Sequence, residues 1–325
     1  MFIDLRMSKV IGVVSASLIL GCLTVIHGQT SRTQTALSYV ERGNNWLKKK
    51  DWERAIADFS LAIATDPRTA QAYNNRGVAR QAKGESEGAE ADFNRALEID
   101  PRHANAYHNR GLARDHRGDY DGAIADFTKA LEIDPRYANA FSNRANARFA
   151  KGDFSGAIAD SSKALALNPR SRLAYTTRGL GRQKQGDFSG AIADFSQAIV
   201  IDPNHAEYHF NRGNAYFDQG DLERALVDLT RAIALKPNLV EAYNNRGVIY
   251  VTLRNLDLAL ADYDRAVQLN PHSAGTYMNR GLTRLLNGQA AGAEEDFARS
   301  VALDQTLKAV IEQRKNIARQ WIAGK

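Results

Sequence analysis

Residues 104–137 read ANAYHNRGLARDHRGDYDGAIADFTKALEIDPRY, and residues 138–171 read ANAFSNRANARFAKGDFSGAIADSSKALALNPRS. The second stretch repeats the first in register, with proline three places from the end of each. The prolines of the whole chain stand at 67, 101, 135, 169, 203, 237 and 271, so every gap is 34. Other positions keep the same beat. Twelve places before each proline lies Ala55, Ala89, Ala123, Ala157, Ala191, Ala225 or Ala259. Eight before lies Phe59, Phe93, Phe127, Ser161, Phe195, Leu229 or Tyr263, and twenty-four before lies Gly43, Gly77, Gly111, Ala145, Gly179, Gly213 or Gly247. An eighth copy carries Tyr277, Gly281, Ala293 and Phe297, with Gln305 in place of proline. Self-similarity at a period of about 20–50 residues means stacked structural repeats.

The eight copies run 36–69, 70–103, 104–137, 138–171, 172–205, 206–239, 240–273 and 274–307, covering 272 of 325 residues. Within each copy two stretches, such as 70–83 and 87–99, carry apolar residues at three- and four-residue spacings. Between them stands Gly84, Gly118, Gly152, Gly186, Gly220 or Gly288, suited to a left-handed helix end. Asp51, Asp119, Asp153, Asp187 and Asp221 then offer N-caps for the second helix. Proline closes that helix because it lacks an N–H and restricts the residue before it. No stretch alternates with period two, so no strand is expected. Lys50 and Arg254 replace the turn glycine, and Ser161 removes a large side chain; these exchanges predict looser packing in an unchanged fold.

This pattern resembles the tetratricopeptide repeat (TPR) family. The resemblance implies an all-α, right-handed superhelical solenoid of eight helix-turn-helix repeats. It also implies a concave face lined by the first helix of each repeat and used to hold a peptide or partner protein. Residues 308–325 are expected to form a capping helix and tail, because terminal repeats need a polar outer cover. Ala309, Val310, Ile317 and Trp321 should form its packed side, and Lys308, Arg314, Lys315 and Arg319 its solvated side.

Composition excludes a disordered or collagen-like chain: 44% of residues are hydrophobic and 25% charged. The net charge of +6 is concentrated at the ends, because residues 36–307 hold 35 basic and 35 acidic groups. A neutral body argues against a nucleic-acid footprint, which needs clustered Lys and Arg. Residues 1–28 differ from the rest. Arg6 and Lys9 precede an apolar run from Val10 to Ile26, the pattern of a secretory signal peptide or an N-terminal membrane anchor, with Met1 or Met7 as the start. Leu18-Ile19-Leu20-Gly21-Cys22 resembles a bacterial lipoprotein box, making Cys22 a candidate for lipidation. Cleavage near Gly28, retention as an anchor and processing at Cys22 all fit. The chain is therefore expected to be exported, in a periplasmic or cell-envelope setting, with membrane contact only through this segment. Residues 29–35 read as a linker.

No catalytic constellation, cofactor motif or metal site emerges. One cysteine excludes an internal disulfide framework. His205 and His209 are four apart but lack a third ligand. Every glycine of the array is explained by the repeat, so none is left for a phosphate loop. The expectation is a non-enzymatic scaffold binding an extended polypeptide. The alternative is a spacer or assembly subunit of an envelope complex that uses its ends and convex face.

Two stripes carry that expectation. Twenty-six places before the proline register stand Asn75, Asn109, Asn143, Asn211, Asn245 and Asn279 in six of the eight copies, with Glu41 and Thr177 as exceptions, Asn214 nearby and Phe210, Phe217, Val248, Val251 and Met278 as apolar candidates. An Asn amide offers both donors and an acceptor to a peptide backbone. The stripe is similar to the repeat arm of O-linked N-acetylglucosamine transferases, without their catalytic half. Chaperone-binding relatives clamp a carboxylate with Lys and Arg; the matching positions here hold Val40, Asn74, His108, Gln71 and Asn105, so that function is not carried over. The second stripe pairs Arg42, Arg76, Arg110, Arg144, Arg178, Arg212, Arg246 and Arg280 with Asp58, Asp92, Asp126, Asp160, Asp194, Asp228, Asp262 and Asp296. The arginine falls where the family usually has an apolar contact. A buried guanidinium needs a partner, so an ion-pair ladder is expected, within or between repeats.

Overall fold

The computed structural model describes residues 30–323. The leader with Cys22 lies outside the described residues. Seventeen helices and no strand occur among those described. They fall into two compact units, divided after Lys151. The first holds α1 (30–48), α2 (Trp52–Thr65), α3 (Ala70–Lys83), α4 (Ser86–Ile99), α5 (Ala104–His116), α6 (Tyr120–Ile133) and α7 (Ala138–Ala150). The second holds α8 (Phe154–Leu167), α9 (Arg172–Lys184), α10 (Phe188–Ile201), α11 (Ala206–Gln219), α12 (Leu222–Leu235) and α13 (Val240–Thr252). It continues through α14 (Leu256–Leu269), α15 (Ala274–Leu286), α16 (Ala290–Leu303) and α17 (Leu307–Ala323). Residues 30–35, expected as a linker, are already helical and lengthen α1. No Pro or Gly interrupts them, and Ala36 just beyond is fully buried.

The local causes are visible at each helix end. Asp51, Asp119, Asp153, Asp187 and Asp221 each accept from the backbone N–H three places on, capping the second helix of their repeat. The residue before each proline is extended, as with Asp66, Asp100 and Asp134, so the helix ends there. Lys50 and Arg254 do not loosen the turn: they adopt φ of 59° and 65°, the left-handed geometry that glycine takes elsewhere. Inside each pair a small residue meets an aromatic. A Cβ on Gly77 would stand 2.6 Å from the Phe93 ring, so glycine sets the distance between α3 and α4. In each unit a helix packs on its sequence neighbours, and successive first helices also touch: α3 on α5, α5 on α7, α9 on α11, α11 on α13, α13 on α15.

Arginine locks these layers together. In seven repeats Nε and Nη2 of Arg42, Arg76, Arg110, Arg178, Arg212, Arg246 and Arg280 donate to both carboxylate oxygens of the same repeat's aspartate, at 2.6–3.0 Å. In the remaining repeat Arg144 lies in the first unit and the buried Asp160 in the second. The third guanidinium nitrogen reaches back one repeat: Arg76 to Ser60, Arg110 to Asn94, Arg144 to Thr128, Arg212 to Ser196 and Arg280 to Asp264, at 2.7–3.1 Å. A second arginine joins the aspartate in the second, third, fifth and eighth repeats, with Nη1 of Arg80, Arg114, Arg182 and Arg284 against Oδ2 of Asp92, Asp126, Asp194 and Asp296. Arg42 is the exception that explains the rest: with no repeat before it, its side chain stays 54% exposed.

The cap uses a different face from the expected one. Ile311, Lys315 and Ala318 are buried, while Val310 and Ile317 are exposed. Spacing of four and three along α17 puts the first set on one side, against Leu285 and Phe297. Lys315, expected in solvent, is buried over the Phe297 ring, with Nζ bonded to Glu294 at 2.8 Å and Glu312 at 3.2 Å. The bond from Glu294 raises its pKa above the usual lysine range. Two carboxylates and an aromatic face are what allow an ammonium to sit there.

Candidate functional site

Because first helices stack on one another within each unit, their outward side chains form a continuous face. In the first unit the asparagines of that face bond to each other. Asn75 Nδ2 donates to Asn44 Oδ1 at 2.7 Å, Asn74 donates to Asn75 Oδ1 at 2.8 Å, and Asn109 donates to Asn74 Oδ1 at 2.9 Å. Asn143 Nδ2 lies 2.9 Å from Nε2 of His108. Burial lowers the His108 pKa, so the ring is neutral and accepts this bond. It is held between the Tyr137 and Phe127 rings, and its Nδ1 is buried without a partner. The amides of this unit therefore tie adjacent repeats together. Asn75 uses its oxygen and one N–H in that way.

In the second unit the same stripe is more open. Asn245 Nδ2 donates to Asn214 Oδ1 at 2.8 Å. Asn211 and Asn279 are half-buried, and neither side chain is hydrogen-bonded among the described residues. A hollow of about 310 Å³ opens among α9, α11 and α13, lined by Gln183, Asn214, Phe217, Asp218, Asn245 and Val248. Gln183 Nε2 donates to Asp218 Oδ2 at 2.6 Å across its rim. Phe217 is 36% exposed, unusual for a phenylalanine in a well-packed array. Four of the twelve residues named for the groove thus meet at one place.

The others go elsewhere. Met278 is buried against Leu285, Phe297 and Ile311, so it belongs to the terminal core and not to the groove. Phe210 packs on the Leu229 and Leu239 core. Val251 faces a separate apolar hollow beside α17. Asp218 is not singled out by the sequence, whereas Gln183 shares the register of Phe217 and Val251, twenty places before the proline. His205 stands at the N-cap position of α11 without a side-chain capping bond, and His209 is buried, 3.0 Å from the Pro203 carbonyl oxygen. No cluster of three potential metal ligands occurs among the described residues.

Family models for the tetratricopeptide repeat match residues 70–103, 104–137 and 240–273, and models for the TPR repeat match 182–220 and 213–253. No curated protein matches the chain. Among solved structures it is similar to YrrB, described as a TPR protein with an unusual peptide-binding site, at 27% identity and a TM-score of 0.50, covering 57% of this chain and 95% of that one. A tetratricopeptide repeat protein of Parabacteroides merdae matches at 19% identity and a TM-score of 0.57, over 77% of this chain and 99% of that one. Pseudomonas aeruginosa pilF matches at 19% identity and 0.60, over 65% and 96%.

Proposed function

Since the chain belongs to the tetratricopeptide repeat family, whose repeats mediate contacts between proteins, we propose that it is a non-enzymatic scaffold holding an extended polypeptide against its first helices. The observation that carries this reading is the hollow lined by Asn214, Asn245, Phe217 and Val248. It joins amides that can pair with a peptide backbone to an apolar floor that can take one side chain. Each amide contact nets only about 0.5–1.5 kcal/mol, so several must act together, and Asn211 and Asn279 continue the row on either side. Exposed apolar surface of this kind marks an interaction site more often than a packing error. The likeness to YrrB, a peptide-binding TPR protein, agrees with the reading.

Export is part of the proposal. The run from Val10 to Ile26 behind Arg6 and Lys9 would direct the chain out of the cytoplasm, and Cys22 would carry a lipid if the box is used. N-terminal sequencing of native material should then begin beyond residue 20, unless the segment is kept as an anchor. Cys22→Ala should release a lipidated form from membranes.

The binding test is photo-crosslinking in cells from a benzoyl-phenylalanine placed at Val248. A captured polypeptide that disappears with Phe217→Asp, or with Asn211→Ala and Asn279→Ala together at unchanged Tm, supports the groove. Capture from the same probe at Val227, an exposed residue of α12, with nothing from Val248, transfers the assignment to a spacer that works through its second helices.

A further inference from the structure

We propose a second binding site at the C-terminal end, a trough between α15 and α17 that takes an acidic amphipathic helix from a partner protein. The trough encloses about 490 Å³ and is lined by Val251, Thr252, Leu282, Leu286, Ile317 and Ala318, with Arg254 and Arg314 at its edge. It is separate from the asparagine-lined hollow and does not depend on the reading given to that hollow.

Three observations select the occupant. Leu282 and Leu286 are one turn apart on α15, and α17 packs beside them, so the floor has the spacing of a helix-in-groove site. Ile317 projects from α17 with 57% of its surface exposed. The charges at the edge are all of one sign. Arg254 and Arg314 contribute two guanidinium groups, and no carboxylate lines the trough. Arg314 is exposed and has no acidic partner among the described residues, whereas Lys315 and Arg319 of the same helix both engage Glu294. Arg254 occupies a left-handed turn position that is glycine in six of the eight repeats. Apolar floor and cationic edge together complement a helix with two or three large apolar side chains flanked by Glu or Asp.

The test uses the full chain and two fluorescein-labelled helical peptides of about 16 residues, one with leucines at helical spacing flanked by glutamates, the other with lysines in place of the glutamates. The acidic peptide should bind at least about tenfold tighter than its lysine twin, and weaken with added salt. Arg314→Glu should reverse that order. Ile317→Asp should abolish binding with Tm unchanged, since the side chain is already in water, whereas Phe217→Asp should leave it intact. Equal binding of both peptides, absence of binding, or loss through Phe217→Asp overturns the proposal. So does a concentration-dependent dimer abolished by Ile317→Asp, which would make a second copy the occupant. Partition of the chain onto anionic vesicles that competes with the peptide would assign the surface to lipid and overturn it as well.

Discussion

The unit of cohesion is a single rung: Asp126 accepting from Arg110 and Arg114 while Arg110 also reaches Asn94 one repeat back. Asp126 is almost wholly buried, so its removal strands two guanidinium groups. Losing one partner of a buried pair costs about 3–5 kcal/mol, which in an array of this size lowers Tm by roughly 6–12 °C. Asp126→Ala should do so in a thermal melt, and Arg110→Lys should recover little, because an ammonium lacks the fork. Half of this rung was legible in the sequence. The Arg and Asp stripes recur in all eight repeats, and burial of an arginine demands an acid. The relay backward was not foreseen, although Ser60, Asn94, Thr128, Ser162, Ser196, Thr230 and Asp264 recur seven places before the proline register as an unbroken polar series. A hydroxyl or amide on a helix surface has too many ordinary reasons to exist, and only the neighbouring repeat gives it a direction. His108 adds a pH dependence. Burial depresses its pKa, as it does for His103 at the α5 N-cap, so the unfolded chain binds protons first as pH falls. Stability is full above the unfolded value of about 6.5 and declines as pH drops below it toward the folded value. His103→Asn with His108→Asn, the latter matching Asn74 of the preceding repeat, should flatten Tm against pH between about 7 and 5.

At the scale of the element, the chain shows how a repeat tolerates an exception. The glycine turn after each first helix is a demand on backbone conformation, and Lys50 and Arg254 meet it without glycine. A side chain in the left-handed region costs about 1–2 kcal/mol, partly offset because the unfolded chain loses less entropy than glycine would. Lys50→Gly should therefore stabilise the protein by about 0.5–1 kcal/mol, read as a higher denaturant midpoint at constant m value. The N-caps are the converse case. Asp187 holds the Gly190 N–H at 2.9 Å, and Asp187→Ala should cost about 1 kcal/mol. These features were legible because they depend on residues two to four apart. The cap helix was not. Its sequence offers Ile317 and Ile311 with equal hydrophobicity, and the choice between them is made by Glu294 and Phe297 of α16, which draw Lys315 inward and turn Ile317 out. A pattern read along one helix has no access to the partner that decides its face.

Across the whole molecule, cohesion is local. Among the described helices α2 to α17, within each unit a helix touches its neighbours in sequence and, for first helices, the next first helix or, for α15, the cap helix α17. Stability in such an array is close to a sum of repeat terms and nearest-neighbour interfaces. The asparagine stripe shows the consequence for function. Its period was legible, but not which amides would be spent on the scaffold: Asn75 is consumed by Asn44 and Asn74, while Asn211 and Asn279 remain available. Residues identical in register differ in use because their neighbours differ. Damage should spread by the same rule. Asp228→Asn removes one charge from a rung shared by Arg212 and the buried His209, and Arg212 also anchors Ser196. Amide exchange should therefore accelerate in α10, α11, α12 and α13, where the rung and its immediate interfaces lie, by a factor that reports the local opening free energy. Amides of α2, α3 and α4 should keep their protection within error. A uniform rise in exchange through every helix would mean that the array opens as one cooperative block, and that its interfaces outweigh its repeats.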